Sequence, residues 1–256
     1  MKRFTAFTRF LVTTSGALLL VAVANVGARA DTFNFTGTTT SGNAVNGSAQ
    51  INGTAGSNIL TITITNNQTN MVSAGQGISG LSFQIVNSQG VVLNISPVTI
   101  VTQSGREVKF LGSTTGVDVG GSSAADAMGW GLSNQNPAYL NALGFTGPNG
   151  SNPPDELILG VPTGNAPNGV VYGNANASIA NSGPHQPFVV QSANFSVTLG
   201  INLPPGFEIR NVQMYFGTAG DTLVSQTPEP ASMILLGTGL FGIAAGIRHR
   251  RKTKKQ

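Results

Sequence analysis

Apolar and polar residues alternate along four stretches of the chain. Leu60, Ile62 and Ile64 alternate with Thr61, Thr63 and Thr65, and Leu81, Phe83 and Ile85 alternate with Ser82 and Gln84. Ala193, Phe195, Val197 and Leu199 alternate with Ser192, Asn194, Ser196 and Thr198, and Val212, Met214 and Phe216 with Asn211, Gln213 and Tyr215. A period of two predicts strands with one buried and one wet side. Shorter runs predict strands at 32–36, 45–51, 90–96, 98–102, 107–111, 157–161 and 170–172. Clusters of Gly, Asn, Ser and Pro separate them and favour turns. Asn46-Gly47 and Asn52-Gly53 carry the residue pair of tight hairpins. Ile209 is out of phase with Val212, which predicts a bulge near Arg210 or a strand starting there. Many short strands without a long helical pattern predict an all-β fold, an antiparallel β-sandwich of jelly-roll-like form.

Asp118 to Pro154 lacks the alternation. It is rich in Gly, Ser, Asn and Pro and embeds Trp130 and Tyr139. A short helical turn is expected at 124–128 or 137–143. Irregular stretches of this length are usually functional or mobile.

The ends follow other rules. Lys2, Arg3 and Arg9 surround the start of an apolar stretch, Phe10 to Val26, which leads to Ala28-Arg29-Ala30. That is the layout of a secretory signal peptide over 1–30, cleaved after Ala30, with Val26-x-Ala28 as a competing site. It implies the Sec export machinery as a partner. At the other end stands Pro228-Glu229-Pro230, then 17 residues without charge, 231–247. Arg248, Arg250, Arg251, Lys252, Lys254 and Lys255 follow. The prolines disfavour helix at and before them. Seventeen helical residues reach ~25 Å against a hydrocarbon core of ~30 Å, and snorkelling with local thinning covers the gap. The span predicts one transmembrane helix, and the basic cluster a stop to transfer. The chain thus divides into 1–30, an ectodomain at 31–226, and an anchor segment at 227–256.

This division changes the meaning of the overall charge. The chain is +4, but four of its 13 basic residues lie in 1–30 and six after Ile247. Arg106, Lys109 and Arg210 face eight carboxylates within 31–226, so the body carries 3 − 8 = −5. It lacks the clustered cations of a nucleic-acid surface. No cysteine is present, so burial and β-ladders must hold an exported body without disulfides.

Candidate chemistry is sparse, and no catalytic, cofactor or metal residues are assigned. His185 is the single histidine of 31–226, whereas a zinc site needs several His or Cys ligands. No Gly-x-Ser-x-Gly elbow occurs in the body. Asp155 and Glu156 are adjacent, so on a strand they point to opposite faces and cannot flank one glycosidic bond. Asp118, Asp126, Asp155, Glu156 and Asp221 are scattered carboxylates without the calcium-loop spacing. Trp130 and Tyr139 are the weak ligand candidates, as exposed sugar platforms. Burial in the core is the favoured reading for a lone Trp.

The tail resembles the PEP-CTERM sorting signal of exported bacterial proteins. The three ordered elements at the C-terminus carry the resemblance, over about thirty residues. It implies recognition of Pro228, Glu229 and Pro230 by an exosortase, a membrane-embedded cysteine transpeptidase in bacteria that make exopolysaccharide. The chain would then be that enzyme's substrate. An ordinary C-terminal anchor is the alternative. The expectation is a non-catalytic surface or matrix protein, anchored through 231–247 until processed, with exopolysaccharide as a further candidate partner. Two competing expectations are a secreted carbohydrate-binding or carbohydrate-active protein and a calcium-stabilised adhesion module.

Overall fold

The computed structural model describes residues 27–121, 129–133, 137–142, 156–181, 183, 185–218 and 222–225. The four alternating stretches are strands β3 (Ile59–Asn66), β4 (Ile78–Val86), β12 (Phe188–Thr198) and β13 (Glu208–Phe216). The weaker runs supply β1 (Ala28–Thr38), β2 (Ala44–Thr54), β5 (Thr99–Phe110), β9 (Ile158–Leu159) and β11 (Gly169–Val171). Short strands β6 (Thr115–Gly121), β7 (Gly131–Ser133), β8 (Ala138–Asn141), β10 (Gly164–Ala166) and β14 (Thr222–Ser225) complete the set. Helix among the described residues is limited to a 3-10 turn, Ala74–Gln76, and the single turn α1 (Ala177–Ala180). The fold is all-β.

Three local expectations are corrected. Pro137 to Leu143 contains β8, because Ala138 and Leu140 point into the core with period two. Residues 90–96 form no strand, only a bridge from Val92 to Val86. Asn46-Gly47 and Asn52-Gly53 lie inside β2 rather than in turns. The turns flank that strand, at Gly42 (φ 80°) and Gly56 (φ 83°), where a left-handed backbone favours glycine. Gly47 serves close approach instead. A Cβ there would sit 2.5 Å from Met214 Sδ and 3.2 Å from Ile78 Cδ1. The expected turn at 124–128 lies outside the described residues.

Backbone pairing is continuous and does not divide into two separate sheets. One mixed sheet follows the order β10-β11-β6-β5-β12-β9-β4-β13-β14, with β3-β2-β1 branching from β12 and β7-β8 from β4. The branch has a local cause in β12. Val189 and Val190 pair parallel with β9, whereas Ser192 to Thr198 pair antiparallel with β3. A bulge between Val190 and Ala193 in the β5 pairing separates the halves, with Gln191 at φ 63°. A second register shift follows Arg210 in β13, with Asn211 at φ 51°. This is the bulge that the phase of Ile209 and Val212 predicted.

Inward side chains form two clusters. The larger joins Phe35, Ile51, Ile62 and Phe195 to Phe83 and Met214 across the β4 and β13 side. The smaller holds Phe110 against Tyr172 and Phe188, each pair edge-to-face at 5.9 Å. Asn66 at the end of β3 is fully buried. Its Nδ2 donates to Gln76 O and Ile158 O, both at 2.9 Å, and its Oδ1 accepts from Gln68 N at 3.0 Å. A buried amide is tolerated when its groups are paired.

The outward faces of five neighbouring strands are aligned by register. One row reads Thr32, Gln50, Thr63, Asn194, Ser104 across β1, β2, β3, β12 and β5. The next reads Ala30, Asn52, Thr61, Ser196, Thr102. A third reads Asn34, Ser48, Thr65, Ser192. None of these side chains is charged.

Candidate functional site

The C-terminal segment begins where the fold ends. β14 pairs antiparallel with β13, from Phe216 opposite Thr222 to Gln213 opposite Ser225. Thr222 and Val224 point inward, while Leu223 and Ser225 face out. Val224 packs beside Gly37 of β1, where a Cβ would approach Val224 Cγ2 to 3.0 Å. Gly37 therefore lets β14 and β1 come together at this corner of the body. Ser225 is followed three positions later by Pro228.

A family model describing the PEP-CTERM protein-sorting motif matches residues 226–251. The chain carries this sorting signal. The match starts one residue after β14, so the body and the PEP-CTERM segment abut without a long linker. Pro228, Glu229 and Pro230, the expected span 231–247 and the basic residues from Arg248 to Lys255 lie outside the described residues. Among the described residues no helix is long and apolar enough to cross a membrane. The PEP-CTERM motif supports an exported protein, sorted to the cell surface by an exosortase-type enzyme. No curated protein matches the chain, and no solved structure matches it.

The N-terminal candidates sit on β1. Ala28 pairs with Thr54, and Ala30 with Asn52. Between them Arg29 ion-pairs with Asp31 and donates through Nη1 to Phe207 O at 3.1 Å. Cleavage after Ala30 would remove the first three residues of this strand, whereas cleavage after Ala28 would keep Arg29.

The ligand candidates separate. Trp130 is 3 % exposed and lies in the larger core, its ring 5.3 Å from that of Phe195. Its Nε1 donates to Glu156 O at 3.0 Å. It offers no face to a sugar. Tyr139 is half-buried on the opposite side of β8, edge-to-face with Tyr215 at 4.8 Å. Burial there, reinforced by Tyr215, pushes its phenol well above the ordinary range. Register places Leu132 of β7 against Leu140, so Trp130 and Tyr139 are not brought to one surface.

Several of the titratable groups are held by structural partners. Asp118 accepts from Arg106 at 2.8 and 3.1 Å, and this hydrogen bonding holds its carboxyl below the usual range. Arg210 does the same for Glu208. Glu156 accepts from Gly129 N. Desolvation raises Glu107, with Lys109 opposing the shift. Among the described residues no group of three or more His, Cys, Asp or Glu is placed to hold a metal. Asp126, Asp155 and Asp221 lie outside them. His185 is half-buried in the turn ahead of β12.

Sequence reasoning passed over Gln186, which clasps the end of β5. Its Oε1 accepts from Phe110 N at 2.6 Å, and its Nε2 donates to Phe110 O at 2.8 Å and Asn181 O at 2.7 Å. A glutamine between two prolines gave no period or motif that would have singled it out.

Proposed function

We propose that this is a non-catalytic surface or extracellular-matrix protein, held in the inner membrane through 231–247 and released by cleavage at its PEP-CTERM signal. The observation that carries the reading is the motif match directly after the final strand. Pro228 and Pro230 disfavour helix at and before the tripeptide, which suits an exosortase-type enzyme that must grip it. Glu229 gives the enzyme an acidic handle outside the membrane. The basic end stays on the anionic side and fixes orientation. The folded part then acts by contact rather than chemistry, with exopolysaccharide or other envelope material as its surroundings.

The test compares the mass of the C-terminus in a host with and without the cognate exosortase. Removal of the segment after the Pro-Glu-Pro tripeptide is expected only when the enzyme is present. Retention of Gln256 wherever the protein accumulates would reduce the tail to a plain anchor and overturn the reading.

A further inference from the structure

We infer that the outward face of β1, β2, β3, β12 and β5 docks an uncharged, hydroxyl-rich polysaccharide. This deepens the matrix-protein reading and rests on it. The central row, Thr32 to Ser104, presents hydroxyls and carboxamides, which both donate and accept hydrogen bonds. Register repeats such groups every ~4.8 Å across the strands and every ~6.8 Å along them. A repeated set of donors and acceptors suits a polymer that repeats its own hydroxyls. Part of the array is already oriented, which lowers the side-chain entropy lost on binding. Thr63 Oγ1 donates to Asn194 Oδ1 at 2.8 Å, and Asn52 Nδ2 to Thr61 Oγ1 at 3.3 Å.

Charge selects the class of ligand. Residues 31–226 carry −5, yet these three rows carry no charge. The charged residues of β1, Arg29 and Asp31, face the other way, pair with each other and sit opposite Gly53 and Ile51. Arg106 lies beyond the β5 stretch that forms the rows and is held by Asp118. An anionic polymer finds no cation within the rows, the bordering Arg29 and Arg106 are already paired with Asp31 and Asp118, and the body around them is negative, whereas a neutral polymer meets no electrostatic penalty.

Shape adds a second observation. A concavity of about 460 Å³ opens at one end of the face. Asn52, Thr54, Ser57 and Thr61 line it with Ile59, which is 47 % exposed, and Ala28, Arg29 and Ala30 of β1 close one side of it unless signal cleavage after Ala30 removes them. Its surface is mainly apolar, from Ile59 and the alanines of β1, with Asn52, Thr54 and Thr61 at its polar edge, so it can meet both the C–H and the O–H surfaces of a sugar ring. A second copy of the chain is the poorer occupant, because two such faces would desolvate polar groups while burying little apolar area.

The experiment uses the protein as exported and processed by its host. Affinity gel electrophoresis in dextran, hydroxyethylcellulose and alginate measures binding, with circular dichroism as the folding control. Wild type is expected to be retarded by at least one neutral polymer and not by alginate. Gln50→Glu, Thr63→Glu and Asn194→Asp together are expected to weaken the binding at least tenfold, and Asn194→Asp alone severalfold. Leu111→Glu, off the face, is expected to change nothing. Absence of binding to either neutral polymer, preference for alginate, or undiminished binding by folded Asn194→Asp overturns the assignment. So does a dimer that the same substitutions dissolve in sedimentation. The C-terminal mass of the same samples is read separately. A processed tail with no glycan binding sinks the face alone, and an intact Gln256 sinks the sorting reading alone.

Discussion

Gly47 marks the limit of what a residue pair reveals. Asn-Gly in sequence favours a hairpin, yet here the missing side chain makes room for Met214 and Phe216 from the facing strand. The signal that distinguishes the two uses is tertiary, so it is invisible along the chain. Gly47→Ala is expected to cost about 1–3 kcal/mol through overpacking, read as a fall in the chemical-denaturation midpoint. Unchanged stability would show that the sulfur moves aside freely. Glu107 makes the opposite prediction. Burial raises its carboxyl, and its Oε1 accepts no hydrogen bond among the described residues. A carboxyl raised in the folded state destabilises the fold once pH exceeds the unfolded value, near 4.3. Glu107→Gln is therefore expected to stabilise by up to about 1 kcal/mol at neutral pH, with the gain fading below about pH 4. Thermal melts at pH 7 and pH 3.5 check both parts. Trp130 was legible in the favoured sense, since a large ring in a β-domain without another Trp finds its best contacts inside.

At the scale of elements, alternation located β3 and β12 because each has one buried face, whereas β4 alternates in sequence yet is buried on both sides, with Ser79 and Ser82 inside rather than wet. β9, two residues long and buried on both sides, has no period and was legible only as the short apolar run at 157–161. Alternation misplaced 137–143, where four strand residues sit between segments without pattern. The bulge in β13 was readable because an extra residue breaks the phase of the apolar positions. The branching of β12 was not, since a sequence shows which face is apolar but not which edge meets which neighbour. Asn66 links three of these elements, the end of β3, the 3-10 turn and β9. Asn66→Ala is expected to cost about 2–4 kcal/mol, by orphaning two carbonyls and opening a small cavity. Hydrogen exchange should report the loss first at Ile158 and Leu159, whose strand has only two residues of its own.

For the molecule as a whole, the sorting signal was the most legible part, because its recognition depends on order along the chain rather than on folding. Glu229→Ala is expected to leave insertion unchanged and slow processing, so that uncleaved precursor accumulates in the membrane fraction. Equal rates for the two proteins, followed by pulse-chase, would remove Glu229 from recognition. The neutral rows on the sheet were hidden, because they exist only once five strands are set in register. The pairing of β3 with β12 and of β4 with β13 has one more consequence. A chain that crosses a membrane from its N-terminus delivers β3 and β4 long before their partners. Each then waits with one edge open, β3 beside β2 until residue 188 appears and β4 until residue 208, while the intervening chain emerges. Loop closure over such separations is slow compared with local hairpins. Passage is then the vulnerable interval of this protein's life, and a chain truncated before Phe188 should be destroyed by envelope proteases rather than persist as a smaller folded piece.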